Sequence, residues 1–365
     1  MVDKNAAVSR LTEIIEKGRV SAMAGVQAIQ AEHEKRKDWM VRPSAMKVEV
    51  EVVPGKGLQF FPVMNDRPLQ LTPHSRSQLL ERAAIPGTFA DRLLTLGQAD
   101  LLRDNFAKLI PAVSKDGIMV REIDGLAKGI LSSSYRRLDA SPLIEGYAEK
   151  SIQLGMLPYA GALSDTRAFL SFIRPEILEI APGEFVVLGT EFRASDYGRG
   201  AVELSLMVLR VICSNGMIGS SMMRQVHLGG RIDQSRGEGP VFELSAKTME
   251  LDARTVRSAM TDVIGGLGKQ LRAAESTLRD RVGKELDATK ALAGLRTKGF
   301  RKELIERVQT MYDSDLPVEL APETRGAWRF ANVLSALANT SKATDEAADL
   351  RDAAWSFLLP ERLAA

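Results

Sequence analysis

The sequence predicts an α+β protein in which a curved, mostly antiparallel sheet is flanked by helices and followed by a helical C-terminal region. In residues 46–62 and 117–228, apolar and polar side chains alternate over short stretches, as in half-buried strands. In residues 73–110 and 243–358, apolar side chains instead recur every three or four positions, which is the helical period. Hydrophobic residues make up 45% of the 365 residues, enough for a sizeable core.

The N-terminal segment has the pattern of an amphipathic helical region. Apolar side chains recur at helical spacing over residues 6–36, and a charged run from Glu32 to Asp38 precedes Trp39. Two interpretations stay open: a pair of helices with one solvated face, or an arm that docks on a neighbouring subunit. The predicted divisions are an N-terminal helical arm over 1–45, an α+β core over 46–230 and a helical C-terminal region over 243–365.

The core is predicted to be rich in strands. Val48, Val50 and Val52 alternate with charged residues, and the turn at 54–57 can return the chain as a hairpin. The clearest strand covers residues 202–213, whose second half has the pattern of burial on both faces. The other predicted strands are 117–123, 127–132, 168–174, 185–192 and 219–228. Helices are predicted at about 73–84, 86–96, 98–110 and 142–154.

A polar, Gly-rich loop over about 230–242 is the predicted boundary between the core and the C-terminal helices. Long helices are predicted over 243–312, with breaks near Gly265-Gly266 and at Gly294. Two further helices are predicted over 323–340 and 345–358.

Composition narrows the cellular setting. The formal net charge is +2, so the overall charge does not call for an acidic partner. Cys213 is the single cysteine, which excludes an intrachain disulfide and favours a reducing compartment. No run of about 18 apolar residues and no signal peptide is apparent. We therefore expect a cytoplasmic protein with no membrane partner.

The motifs of common enzymes are missing from the sequence. Neither a phosphate-binding glycine loop nor a zinc motif occurs, and the three histidines, His33, His74 and His227, are far apart in the chain. Cys213 with His227 as its base is the less favoured alternative to a core cysteine. A magnesium site built only from carboxylates also stays open. We expect no catalytic residue, no metal and no cofactor, and thus a protein that is not an enzyme.

Cations in the strand-rich region are the candidate binding groups. An arginine among apolar neighbours needs an anionic partner, either a carboxylate such as Asp139 or Glu191 or a phosphate backbone. Nearby tyrosines could stack on unpaired bases. The predicted nucleic-acid-binding residues are Tyr135, Arg136, Arg137, Arg193, Tyr197, Arg199, Arg210, Arg224 and His227.

A second basic zone lies in the predicted C-terminal helices. Residues 254–302 contain twelve cations and five anions, an excess of seven positive charges in a nearly neutral chain. Such asymmetry favours an anionic partner, whereas a solvated helical face with internal ion pairs is the alternative. Phe300 is an aromatic residue within this zone.

Four stretches resemble a known family. They are 130–139 (ILSSSYRRLD), 209–217 (LRVICSNGM), 223–227 (MRQVH) and 326–332 (GAWRFAN). Their arrangement is similar to the phage/plasmid-like domain-of-unknown-function family, the DUF932 group, over roughly residues 115–340. That family has no assigned reaction. The resemblance implies a protein of a mobile element, and by fold-level analogy with single-strand annealing proteins it favours DNA handling.

The sequence thus leads to two main functional hypotheses, beside a metal-dependent nuclease as a third. The first is a protein that binds or anneals single-stranded DNA during recombination or replication of a phage or plasmid. It would need no cofactor, and it is expected to form a homo-oligomer because a long strand is held better by many linked sites. The alternative is a non-enzymatic regulatory or protein-interaction factor, for example one that blocks a host defence.

Overall fold

The protein has the predicted α+β class but contains three separate sheets. The computed structural model describes residues 3–114, 117–212, 215–225, 245–317, 321–322 and 324–358. The helices are α1 (Lys4–Lys35), α2 (Pro73–Arg82), α3 (Gly87–Thr95), α4 (Ala99–Val113), α5 (Ala140–Gln153), α6 (Ala246–Gly265), α7 (Leu267–Arg281), α8 (Ala288–Thr297), α9 (Lys302–Asp313), α10 (Ala327–Thr340) and α11 (Thr344–Ser356).

The strands form mostly antiparallel ladders. They are β1 (Arg36–Val41), β2 (Lys47–Val53), β3 (Gly57–Met64), β4 (Arg67–Pro68), β5 (Gln70–Leu71), β6 (Ile118–Ile123), β7 (Leu126–Ser132), β8 (Leu157–Leu163), β9 (Ala168–Ile173), β10 (Leu178–Ala181), β11 (Glu184–Ala194), β12 (Val202–Arg210) and β13 (Asn215–Gln225). The largest sheet has the order β13-β12-β11-β9-β8, with β10 also on β11. The second has the order β1-β6-β7-β5, and the third β2-β3-β4.

The expectation of one continuous sheet is therefore wrong. Alternation of side chains identifies a strand but does not name its neighbours. Strand β1 begins inside the charged run that we assigned to the end of a helical region, and it pairs with β6. It gives the second sheet an edge that the sequence pattern did not indicate.

The largest core lies between the six-stranded sheet and the C-terminal helices. Leu204 and Val208 of β12 belong to the same buried cluster as Trp328 and Leu334 of α10. A second core lies between the two smaller sheets and α2–α4. The helical C-terminal region therefore shares its hydrophobic core with the main sheet, although residues 226–244 separate the two in sequence.

Helix α1 is one 32-residue helix and packs on the edge strand β8 of its own chain. Gly18 and Gly25 allow this contact, because a Cβ atom at either position would collide with the backbone of β8. The Ser21 hydroxyl accepts from the Gly161 amide at 3.4 Å and donates to its carbonyl at 3.2 Å. A helix thus covers an edge that would otherwise be open to another strand.

The C-terminal helices follow the predicted order with one corrected break. The chain breaks at Gly266, as predicted, but Gly294 lies inside α8. The other interruptions fall at 282–287 and 298–301. Cys213, His227 and the boundary loop at 230–242 lie outside the described residues. Among the described helices, none is long and apolar enough to cross a lipid bilayer.

Candidate nucleic-acid interface

Arg210 is completely buried at the end of β12. Its Nε and Nη2 donate to the two carboxylate oxygens of Glu184 at 2.7 and 2.8 Å. The indole of Trp328 on α10 donates to the same carboxylate at 3.0 Å. The expectation that Arg210 holds a phosphate is corrected here, because a side chain with no exposed surface cannot reach an external strand.

Arg193 is likewise committed to internal partners. It donates to Glu191 at 2.7 Å and, through both Nη atoms, to Asp352 of α11 at 2.5 and 2.6 Å. Ser171 adds a hydrogen bond to Glu191 at 3.0 Å. Glu191 was one of the two carboxylates proposed from sequence, and the carboxylate alternative is correct for this arginine.

Arg136 and Arg137 take different partners. The Nε and Nη2 atoms of Arg136 donate to the two carboxylate oxygens of Asp252 of α6, which closes the loop after β7 against that helix. Arg137 lies 3.7 Å from Asp38 and 3.6 Å from the sulfur of Met40. The two neighbours therefore extend towards different elements and do not form one cationic site.

The two tyrosines differ in their availability for base stacking. The Tyr197 ring is buried, its hydroxyl contacts Glu32, and the Lys128 ammonium lies 5.0 Å from its centroid. Tyr135 donates to the Ser195 carbonyl at 2.8 Å. The stacking role is corrected for Tyr197, whose ring lies inside the protein, and it stays a prediction for the half-buried Tyr135.

Arg199 and Arg224 are the exposed members of the predicted set. Arg199 is 3.9 Å from Asp345, and Arg224 stands opposite Glu203 in the β12–β13 ladder. His227 lies outside the described residues. The predicted residues that the structure describes do not form one shared groove, because Arg136, Arg193 and Arg210 pair with acids on three different elements.

Helix α11 supplies acidic partners for several arginines of the sheet region. Asp345, Asp349 and Asp352 recur at helical spacing, so they form one acidic stripe on α11. They pair with Arg199, Arg167 and Arg193 respectively, at 3.9, 3.4 and 2.5 Å. Sequence reasoning missed this stripe, although its spacing was visible, because nothing in the pattern indicated which face of the sheet it would meet.

A buried charge cluster joins the two larger sheets. Arg121 of β6 is fully buried and donates to both oxygens of Asp38 at 2.8 and 2.9 Å. It also reaches Asp139 and the backbone carbonyl of Asp196, each at 2.9 Å. Asp139, the second carboxylate proposed from sequence, pairs with Arg121 and Arg36 and not with any of the predicted binding residues.

The Asp196 carboxyl is the acid of this cluster whose pKa is raised. It accepts from the Ala140 amide at 2.9 Å. Burial and the nearby Asp139 carboxylate raise the pKa of Asp196 to about 7, against the opposing effect of Arg121. The adjoining cavity, bounded by His33 and Arg36, holds about 10 Å³, room for one water molecule and not for a substrate.

The connection between α8 and α9 forms a basic surface that differs from the paired arginines of the sheet. We call residues 296–302 the basic loop; it carries Arg296, Lys298, Arg301 and Lys302 and has no acidic residue. All four cations are exposed. Arg301 reaches Glu346 at 2.6 Å, and Lys302 lies 3.6 Å from Glu306. Within the described part of the chain, neither Arg296 nor Lys298 has an acid within ion-pair distance.

A cleft opens between the basic loop and α11. It encloses about 330 Å³ and is lined by Lys298, Gly299, Phe300, Asp349, Asp352 and Ala353. The Phe300 ring is half-buried there. The cleft thus combines an aromatic side chain, one lysine and two carboxylates.

Comparisons with protein-family models, with curated proteins and with solved structures found no match to this chain. The resemblance to the phage/plasmid-like group therefore stays a prediction. Two of its stretches do meet in space, since Arg210 and Trp328 both contact Glu184. Glu184 was not predicted from the sequence, because an acidic residue at the start of a strand gives no sequence signal of its partner.

Proposed function

We propose that the protein binds single-stranded DNA through the basic loop, and not through the arginines of the sheet. The observation that carries this proposal is the density of exposed positive charge at residues 296–302, four cations in seven residues without an acid. Phosphate groups attract such a surface and release condensed counterions when they bind. The sheet arginines do not serve this purpose, because carboxylates of the same chain already occupy the buried ones.

The pairing pattern supports the same assignment. The partners of Arg301 and Lys302 are acids at the surface, and such exposed pairs contribute little to stability. A phosphate can therefore replace them at small cost, whereas replacing the buried partner of Arg210 would unfold part of the core.

An aromatic ring beside the cations favours an unpaired strand over a duplex. Phe300 lies inside the basic loop and lines the adjoining cleft. Bases of a single strand stack on such rings, and the stacked bases of a duplex do not offer their faces. Several copies of the protein on one strand would strengthen the grip, which is the reason to propose a homo-oligomer on DNA.

The test is fluorescence anisotropy of a labelled 12-mer single strand, titrated with protein between about 50 and 200 mM salt. Removing two phosphate contacts with Arg296→Ala/Lys298→Ala should lower the slope of log affinity against log salt by about 1.4. The control Lys17→Ala/Arg19→Ala removes the same charge from the exposed face of α1 and should leave the slope unchanged. Equal slopes for the two double variants would refute the assignment, and an RNA 12-mer tests the preference for DNA.

The protein-interaction alternative has one observation of its own. Phe89 and Leu96 on and after α3 and Leu101 on α4 are exposed, and exposed apolar groups of this kind can mark a protein contact. This alternative predicts little DNA binding at any salt concentration. The anisotropy titration at 50 mM salt therefore separates the two functions.

A further inference from the structure

The cleft beside the basic loop has the dimensions of a site for one nucleobase. Its volume of about 330 Å³ exceeds that of a single base and is far too small for a folded partner. Phe300, which also packs against the main hydrophobic core, lines the cleft together with Asp349 and Asp352 of α11. Lys298 also lines the cleft and can pair with a phosphate of a bound strand.

Asp349 is the carboxylate with capacity to spare. Its side chain is 48% exposed, and its Oδ1 lies 3.4 Å from Arg167. Its Oδ2 has no hydrogen-bond partner among the described residues. Asp352, by contrast, uses both oxygens in short bonds to Arg193. Asp349 is therefore the group that can accept hydrogen bonds from a ligand.

We propose that this cleft binds one base of the single strand and that Asp349 gives it a preference for guanine. This inference rests on the proposed DNA-binding function. A carboxylate can only accept hydrogen bonds, so it matches a base edge that presents adjacent donors. The N1–H and N2–H groups of guanine are such a pair, and both can donate to one carboxylate.

The other bases match this acceptor less well. The N3–H of thymine is flanked by two carbonyl oxygens, which the negative carboxylate repels. Cytosine and adenine each present one amino group beside a ring nitrogen that is itself an acceptor. A bidentate match discriminates by about 1–3 kcal/mol against the wrong base in known complexes, at least a fivefold difference in affinity.

The experiment compares three 12-mers by fluorescence anisotropy: alternating thymine–guanine, alternating thymine–hypoxanthine and all-thymine. Hypoxanthine keeps the N1–H group and lacks the N2 amine, so it removes one of the two donors. We expect wild-type affinity to fall in that order, with at least a fivefold difference between the first and the last. Asp349→Asn should abolish the order while retaining salt-dependent binding to all-thymine DNA, because an amide offers one donor where two acceptors are needed.

Two controls keep the outcome specific. Asp104→Asn removes an exposed acid of α4, far from the cleft in sequence, and should preserve the guanine preference. Phe300→Leu should weaken all three strands by a similar factor, because stacking is tolerant of sequence. Equal affinity of the wild type for all three strands would overturn this inference and leave the DNA-binding proposal standing. Absence of salt-dependent binding to any of them would overturn both.

Discussion

The arginines of the sheet and the cations of the basic loop differ in solvation, although both look alike as letters in the sequence. Arg193 and Arg210 lie on strands whose neighbours are apolar, and each is held by a carboxylate because an unpaired buried charge is very unfavourable. Arg296 in the last turn of α8 and Lys298 directly after that helix remain in water. An arginine within a buried strand therefore predicts a carboxylate partner inside the protein, whereas excess positive charge in an exposed loop is available to a ligand.

The largest effect is expected at Arg210. Arg210→Met should lower the free energy of unfolding by about 3–5 kcal/mol, because it leaves the Glu184 carboxylate in the core without its guanidinium partner. Thermal or urea unfolding measures this loss, and the folded fraction should bind DNA as the wild type does. In a double-mutant cycle, Glu184→Gln should recover part of the loss. Weaker DNA binding by a variant that unfolds like the wild type would contradict the assignment of Arg210 to an internal role.

The buried charges should respond to pH, where the loop cations respond to salt. Burial raises the pKa of Asp196 from 3.8 to about 7, so the folded state keeps a proton that the unfolded state has already released. The contribution of this group to stability is complete below about pH 4 and is lost as pH rises through about 7. Urea unfolding from pH 4 to 8 measures it.

Asp196→Asn supplies the matched variant for this pH dependence. An amide oxygen can still accept from the Ala140 amide, but it does not titrate near Arg121, Arg36 and Asp139. The decline in stability between about pH 4 and 7 should be smaller in this variant. An identical decline in the two proteins would mean that Asp196 is not its source.

Substitutions in the basic loop should change the free energy of DNA binding alone, and by less than the loss of unfolding free energy expected at Arg210. Arg296→Ala/Lys298→Ala should weaken single-stranded DNA binding by about tenfold at 50 mM salt, while its unfolding free energy stays within about 0.5 kcal/mol of the wild type. Anisotropy and thermal unfolding on one preparation check both statements. A loss of stability of several kcal/mol would place these cations with those of the sheet.

The smallest effect is expected at Tyr197, whose buried ring contrasts with the half-buried ring of Phe300. Tyr197→Phe removes the hydroxyl that contacts Glu32 and should lower the free energy of unfolding by about 1 kcal/mol, since Lys128 still partners Glu32. DNA affinity should not change, because the ring lies inside the protein. Reduced affinity for a single strand would restore the stacking role predicted from sequence.

Much of the local structure followed from the sequence. Alternation located β6, β7, β9, β11, β12 and β13, and helical periodicity located α2–α5 and the order of the C-terminal helices. Strands β8 and β10 escaped because neither shows clear alternation; β8 is half-buried along its whole length under α1. The basic zone was also visible, since charge excess is a property of composition.

The α+β class, most elements and the excess of cations between residues 254 and 302 follow from the sequence alone, because period and composition are local properties. Three features required the folded structure. They are the division into three sheets, the pairing of the sheet arginines with Glu184, Glu191 and the acidic stripe of α11, and the cleft beside Phe300. Those features depend on which distant segments meet. Whether a charge is buried against an acid or left in water is settled by that packing and not by its neighbours along the chain.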